Sequence, residues 1–471
     1  MPMKLTLAHS IRPISTEFRL SGVAAIAAAI LVSIAIVGEN LLVLVALTSV
    51  AFALLFPVEV SLGVFAVLVP FDQVLVLGNT GVTLTWVAGA FAGATLVLYG
   101  IVSGRLESPP RAGLYWLFFV LWAAASTLWA IDPLTSLQKL PTVATLFAVY
   151  LVASSFRITR RELSRVALLA LAGGAVAASL VIVQFAHHIT QEGRGTLAVG
   201  NLESNANELA FSLLLPFSLA LSRVSSERNR LKRVAVLAAL VLVATAIFLS
   251  MSRGSLVALS VIVLVYLFRV GVRRRTVIGI LLLAIPLLFL PDHFYHRLNE
   301  AATDRGTGRY DIWLAGLEII KHSPIIGVGL ANFPVAYQKF AGYAHVFFHG
   351  YGRGYTRAAH NMYLSVFAEM GVIGFALLMT AILSQMRAVS RVLAIRRPRD
   401  YFGIALEAAC WGQLAAGLSG HIEWSKPFWL SLMLLAVVTK TTRELEGDGF
   451  PYAWDPSNQC TSSFQHAERR L

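Results

Sequence analysis

An all-α fold, a polytopic transmembrane helical bundle of about 12–14 spans, is what the sequence predicts, on three observations. Charged residues make up only 13% of 471 residues while 57% are hydrophobic, against about 25% charged in an ordinary soluble domain. The apolar residues come in repeated blocks of roughly 17–22, each long enough to cross a ~30 Å hydrocarbon core. The basic residues gather in the short connections between blocks: "RITRRELSR" (157–165), "RVSSERNRLKR" (223–233), "RVGVRRR" (269–275) and "RAVSRVLAIRRPR" (387–399). Lipid cannot satisfy free backbone groups, so helices are the spanning elements. The alternating ten-residue strands of a membrane barrel are absent from the pattern.

Fourteen candidate spans follow in order, near 20–37, 41–56, 58–77, 84–102, 113–130, 142–156, 166–187, 207–222, 234–250, 254–269, 276–291, 361–386, 401–419 and 427–440. The divisions near Glu39 and Pro57 leave 12 or 13 open. The first block follows Lys4, Arg12 and Arg19 like a signal peptide. It is longer than a signal core and runs into further spans, so an uncleaved helix is expected. The basic clusters fall on one side when about two spans separate neighbours, the positive-inside pattern. That puts residues 1–19 and the polar, turn-rich tail 441–471 in the cytoplasm, the tail without fixed structure. It also accounts for the net charge of +13 without nucleic acid as a partner. Cys410 and Cys460 form no disulfide framework or metal spacing.

Residues 292–360 make one long extracytoplasmic loop, and long loops are often functional. In "RYDIWLAGLEIIKH" (309–322), Tyr310, Trp313, Leu314, Leu317 and Ile320 recur at helical spacing. Asp311 and Glu318 lie opposite, so an amphipathic helix resting on the membrane or roofing a cavity is expected.

Three positions on that outward side could carry chemistry. Arg253 in "SMSRGSLVALS" stands at an outer helix start, where snorkelling to headgroups or anion binding are the two readings. Arg309 follows Gly306, Thr307 and Gly308 at the start of the amphipathic helix; it is either solvated or joins the same anion site. His360 opens "HNMYLSVFAEMGVIG" (360–374), as a cap or as a base near neutral pH. Gly371 and Gly374 fall on its face, for helix packing or for close approach of a ligand chain. Two arginine forks suit a diphosphate. A neutral histidine beside them could deprotonate a hydroxyl attacking the carbon that carries it. ATP and nucleotide sugars are not available outside, so the activated donor would come across on a lipid, and glycosyl transfer follows.

Weaker signals surround these. "GRGTLAVGNLESNANELAFSL" (193–213) offers Arg194, Asn201, Asn205 and Asn207 for sugar hydroxyls or for helix capping. "HVFFH" (His345, His349) has a metal-like spacing but neither an HExxH pattern nor a carboxylate partner, so no metal is expected. "SGHIEWSKPFW" puts His421, Glu423 and Trp424 outside, with Trp424 and Trp429 read as an interfacial belt.

His-Asn, nine residues, Gly, two residues and Gly, from His360–Asn361 to Gly371 and Gly374, resembles the signature of the O-antigen ligase and polymerase superfamily. "SRGSL", "NANELAF" and "GRYDIWLAGLEIIKHSPIIGVGLANF" look like its recurring blocks, and the likeness covers roughly residues 190–440. The resemblance implies a metal-independent, inverting glycosyltransferase of the bacterial inner (plasma) membrane, needing no cofactor. Its donor would be an undecaprenyl-diphosphate-linked glycan. Its acceptor would be lipid A-core in a ligase, a growing polysaccharide in a polymerase, or a protein serine. Arg253 and Arg309 would hold the diphosphate and His360 would activate the acceptor. Arg194, Asn207, Asn361, Gly371 and Gly374 would contact substrate. The 14 spans exceed the 12 usual in the family. The alternatives are a flippase or transporter of lipid-linked glycan, which should line its midplane with charge, and an assembly subunit of an export complex. The spans hold little charge, Glu407 being an exception.

Overall fold

The structure, a computed structural model, describes residues 56–78, 81–189, 193–271, 309–342, 356–395 and 400–447. Eleven of the expected spans fall within it. Those at 20–37, 41–56 (its last residue, Phe56, aside) and 276–291, the pair His345 and His349, Cys460 and the tail beyond 447 lie outside the described residues.

The chain forms an all-α polytopic bundle. In order, the helices are α1 (Pro57–Leu68), α2 (Leu84–Ser103), α3 (Arg111–Ala125), α4 (Pro133–Ser155), α5 (Arg160–Ala186), α6 (Ala206–Ser226), α7 (Arg230–Leu249) and α8 (Arg253–Val270). Then come α9 (Arg309–His322), α10 (Phe333–Phe340), α11 (Met362–Ile395), α12 (Tyr401–Ala416) and α13 (Lys426–Gly447). A two-residue hairpin, β1 (Ala198–Val199) with β2 (Leu202–Glu203), sits between α5 and α6. Eight of these helices are long and apolar enough to cross a membrane.

The starts are set by side-chain caps on the first free N–H groups. Thr159 makes a capping box with Glu162 on α5, Asn205 caps α6, Asn229 caps α7 and Ser252 caps α8. Two of these caps, Thr159 and Asn229, lie at the end of the bundle that also holds the ion pairs. There Arg105 meets Glu162 at 2.8 Å and Arg165 meets Glu59 at 2.8 Å. Lys440 meets Glu107 at 2.6 Å, and Arg160 pairs with Asp400. Glu407, the charge read inside a span, is fully buried and pairs with Arg269 while accepting from Ser390.

α12 packs between α8 and α6, α1 against α2 and α5, and α3 along α11. An aromatic cluster fills the middle. Trp116 stands 5.1 Å from Trp429 and 6.3 Å from Tyr150 by ring centroids, and Trp424 stacks on Phe119 at 5.2 Å. Trp424 and Trp429 are thus core residues, not an interfacial belt. The Trp429 indole donates to the Glu423 carbonyl at 2.8 Å, so the ring's polar edge is satisfied inside the bundle rather than by headgroups.

The amphipathic helix α9 forms where the spacing predicts it, with a face of small and branched residues turned inward. Ile312, Ala315, Gly316 and Ile319 are buried, while Tyr310, Trp313 and Leu317 are exposed. Small residues let a membrane-protein helix approach its neighbour, and the bulky apolar ones need only lipid.

α11 is broken at Gly371, whose φ of 65° and ψ of −171° are non-helical. The chain after α9 docks into the break: Val328 N–H donates to Ala368 O at 3.0 Å, Gly329 N–H to Glu369 O at 2.8 Å and Val372 N–H to Pro324 O at 2.9 Å. Trp122 donates to the Met370 carbonyl at 2.9 Å. Groups freed by the break are therefore satisfied within the protein, as apolar surroundings require. The docked strap is held by Asn332, which is fully buried. It accepts from Asp132 N–H at 2.7 Å and donates to Ser136, Leu330 and Asp132 oxygens at 2.9–3.2 Å. The Glu369 carboxylate accepts from Ala331 and Phe333 N–H groups.

Candidate functional site

The helix starts of α6, α8, α11 and α13, and the loop between α12 and α13, meet at the end of the bundle opposite the ion pairs. Met362 N–H donates to the Gly417 carbonyl at 2.7 Å, which ties the start of α11 to that loop. Gly254 ties in α8: a Cβ there would lie 1.6 Å from the Ser419 hydroxyl, so only glycine lets the first turn after Arg253 touch the loop. These contacts bring residues 253, 360 and 421 together from distant parts of the chain.

Between them is a cavity of about 120 Å³, lined among others by Asn207, Glu208, His360, His421 and Lys426. His360 precedes α11 with a left-handed backbone, φ 46°. Asn361 carries the capping duty: its Oδ1 accepts from Tyr363 and Leu364 N–H groups at 3.0 and 3.1 Å. The His360 ring is therefore left to face its neighbours. It meets His421 edge to face, ring centroids 5.6 Å apart.

The electrostatics of the histidine follow from its setting. Burial, then His421, Arg309 and Arg357, push its pKa down to about 4, because each disfavours a second positive charge there. At neutral pH it is an uncharged imidazole. Burial and the neighbouring Arg253 also pull Arg309 below its usual value, and a guanidinium stays charged regardless. Arg253 and Arg309 thus lie within electrostatic reach of each other, and Arg309 within reach of His360. Such a concentration of like charge favours an anion between them.

Of the remaining residues picked from the sequence, Arg194 and Asn207 are joined. The Arg194 guanidinium donates to Asn207 Oδ1 at 2.8 Å and to the Ser250 carbonyl at 3.0 Å. Asn207 lines the cavity and Arg194 braces it from behind, beside the turn that leads into Arg253. Gly371 and Gly374 lie further along α11, where a Cβ would meet the Ile325 backbone and the Trp122 ring respectively. Their surroundings are protein.

Three residues of the site were not singled out from sequence for this role. Arg357, three residues before His360, carried no motif of its own. His421 was read only as outward-facing. Glu208, at the start of α6, was an unremarked letter of "NANELAF". It stands 3.7 Å from His421 Nε2 and takes a hydrogen bond from Gln73. Asp72 pairs with Lys426 at 2.6 and 2.7 Å on the same wall.

Comparison with the curated proteins finds no match. Residues 238–379 match the family model described as O-antigen ligase. That segment, under a third of the chain, holds Arg253, Arg309 and His360 together, and over it the protein is similar to the O-antigen ligase family.

Proposed function

We propose that this protein is an inverting glycosyltransferase that moves a glycan from an undecaprenyl-diphosphate carrier to an acceptor hydroxyl at the outer face of the bacterial plasma membrane. The match to the O-antigen ligase family model over residues 238–379 supports ligase- or polymerase-type membrane glycosyl transfer in general. The observation that carries the finer reading is the electrostatic grouping of Arg253 with Arg309 and of Arg309 with an uncharged His360 that lines a cavity.

In this reading the diphosphate sits on Arg253 and Arg309, whose planar forks match two adjacent phosphate groups. Their charge stabilises the leaving diphosphate as the bond to the sugar's anomeric carbon breaks, the part a divalent cation would otherwise play. The acceptor hydroxyl approaches from the cavity side, and His360, neutral at working pH, takes its proton as the new bond forms. Attack opposite the leaving group inverts the anomeric centre. The basic end of the bundle, with Arg105, Arg157, Arg160 and Arg269, faces the cytoplasm by the positive-inside rule, and both termini lie there. The acceptor is lipid A-core for a ligase, or the growing polysaccharide for a polymerase.

The test is glycan analysis of a deletion strain complemented with wild type, His360→Ala or Arg309→Ala. A ligase leaves lipid-linked polymer accumulating while attached polymer disappears; a polymerase leaves single repeat units. Transfer that survives His360→Ala sinks the enzyme reading. Transfer lost on adding a chelator to wild-type membranes sinks the metal-independent mechanism.

A further inference from the structure

We propose that His421 and Glu208 form a proton relay behind His360, drawing the acceptor's proton away from the base and across the cavity wall. The inference rests on the reading of His360 as the base and extends it to two residues of other helices.

Three observations carry it. The rings of His360 and His421 stand edge to face with centroids 5.6 Å apart, a separation that one water molecule can bridge. His421 Nε2 in turn lies 3.7 Å from Glu208 Oε1, so His421 stands within reach of both the other ring and the carboxylate. All three open on the same cavity, whose water can take a proton from its end. Glu208 is set in place by Gln73, which donates to its second oxygen and accepts from Asn205 N–H at 2.6 Å. A histidine between a second imidazole and an anchored carboxylate can take a proton at one ring nitrogen and give it up at the other.

The chemistry makes such a path useful. As the acceptor oxygen bonds to the anomeric carbon, its O–H proton passes to His360. The carbon–oxygen bond to the diphosphate breaks, and its electron pair leaves with the phosphate. His360 then holds a proton in the company of Arg309 and Arg357, where a positive ring is disfavoured. It passes that proton to His421, and His421 passes it to the Glu208 carboxylate or to cavity water. No oxidant or further reactant is needed. The charged groups facing His421 are Glu208, His360 and, beneath the loop, the buried Glu423. Asp72 and Lys426 close the same wall as a pair. His421 and Glu208 touch neither donor nor acceptor in this scheme; they act through His360 as positioning residues.

The experiment uses the purified full chain in proteoliposomes. The donor probe is the lipid-linked glycan extracted from the deletion strain, and the acceptor is that strain's own envelope glycolipid fraction. For His421→Ala we expect kcat to fall about 10²-fold, the scale of a lost proton-transfer group, with KM for both substrates unchanged and with imidazole in the buffer restoring much of the rate. Glu208→Gln should lower kcat about 10-fold on the same scale and shift the pH profile. His421→Gln, which keeps size and polarity, serves if the alanine variant does not insert; it should show the same loss of kcat. Wild-type rates in the His421 variants, a loss confined to KM, or failure of imidazole to restore His421→Ala would overturn the relay while an inactive His360→Ala leaves the base standing. A fully active His360→Ala would remove both.

Discussion

Gly371 and Ile325 meet backbone to backbone: a Cβ on Gly371 would lie 2.1 Å from the Ile325 carbonyl oxygen. The contact fixes the strap after α9 into the break of α11, and the break is what turns the first part of that helix, with His360 at its mouth, toward the loop between α12 and α13. Its backbone angles fall in a region essentially limited to glycine. Gly371→Ala should therefore destabilise the protein by about 2–4 kcal/mol, from strain and from the clash with a backbone that cannot rotate away. Thermal unfolding in detergent measures it, with Gly93→Ala as the control, since the only atom near that Cβ is a Val149 methyl at an ordinary 3.8 Å. Equal unfolding temperatures for the two variants would remove the structural account of the motif's first glycine.

Asn332 carries the same strap from its other side. It is fully buried, and its amide accepts from Asp132 and donates to Ser136, Leu330 and Asp132. Asn332→Leu would leave the Asp132 N–H without its acceptor, while the Leu330 carbonyl keeps the Ser136 hydroxyl as donor. Such an orphan costs about 1–3 kcal/mol. The variant should unfold well below wild type, or reach the membrane in reduced amount. Wild-type stability would mean that the strap is held by its contacts with α11 alone.

How much of this was readable in advance depends on the distance over which each feature is written. The spans were legible, because an apolar run of membrane length needs no partner to be recognised, and α8 and α11 begin close to the expected residues. The helix at 309–322 was legible as an amphipathic helix. Periodicity marks its bulky face, and the packing adds that the face with Ala315 and Gly316 is the one turned inward, where small residues allow close approach. Trp424 and Trp429 were misplaced because a tryptophan near a helix start looks like a headgroup anchor until its buried neighbours are seen, Phe119 stacked on Trp424 and the Glu423 carbonyl accepting from Trp429. In the site, Arg253, Arg309 and His360 stood out as polar residues at helix mouths. Arg357, His421 and Glu208 did not. The importance of His421 lies in its spacing from His360 and Glu208, which are 61 and 213 residues away along the chain. The Asn332 network is hidden likewise, since its partners Asp132 and Ser136 belong to another helix.

The pH dependence of transfer follows from the setting of His360. Its pKa is pushed down to about 4 by burial and by His421, Arg309 and Arg357. The ring is deprotonated, and ready to accept, at every pH above that value. Activity of the wild-type protein should hold as pH falls through 6.5, where an ordinary histidine would begin to charge. It should decline only as pH approaches about 4. Rates across pH 4–8, corrected for enzyme recovered at pH 7, check this. A midpoint near 6.5 would show that the base is not this buried ring.

Arg309 links binding to that same pH profile, with opposite effects that one variant can separate. It lies half-buried within reach of Arg253, and it is one of the charges that lower His360. Without donor the two guanidiniums repel, so Arg309→Ala should not lower the unfolding temperature of the empty protein. With donor present the variant should lose the stabilisation that ligand gives wild type, and transfer should fall about 10²–10³-fold, as when a charged transition-state partner is removed. Arg309→Lys keeps the charge but not the fork, and should recover only part of that loss. In Arg309→Ala the residual activity should titrate higher than in wild type, because removing a positive neighbour makes protonation of His360 easier. In Arg309→Lys the profile should stay close to wild type. If both variants titrate like wild type while losing activity, Arg309 binds donor without bearing on the base, and the electrostatic coupling between them is absent in the working enzyme.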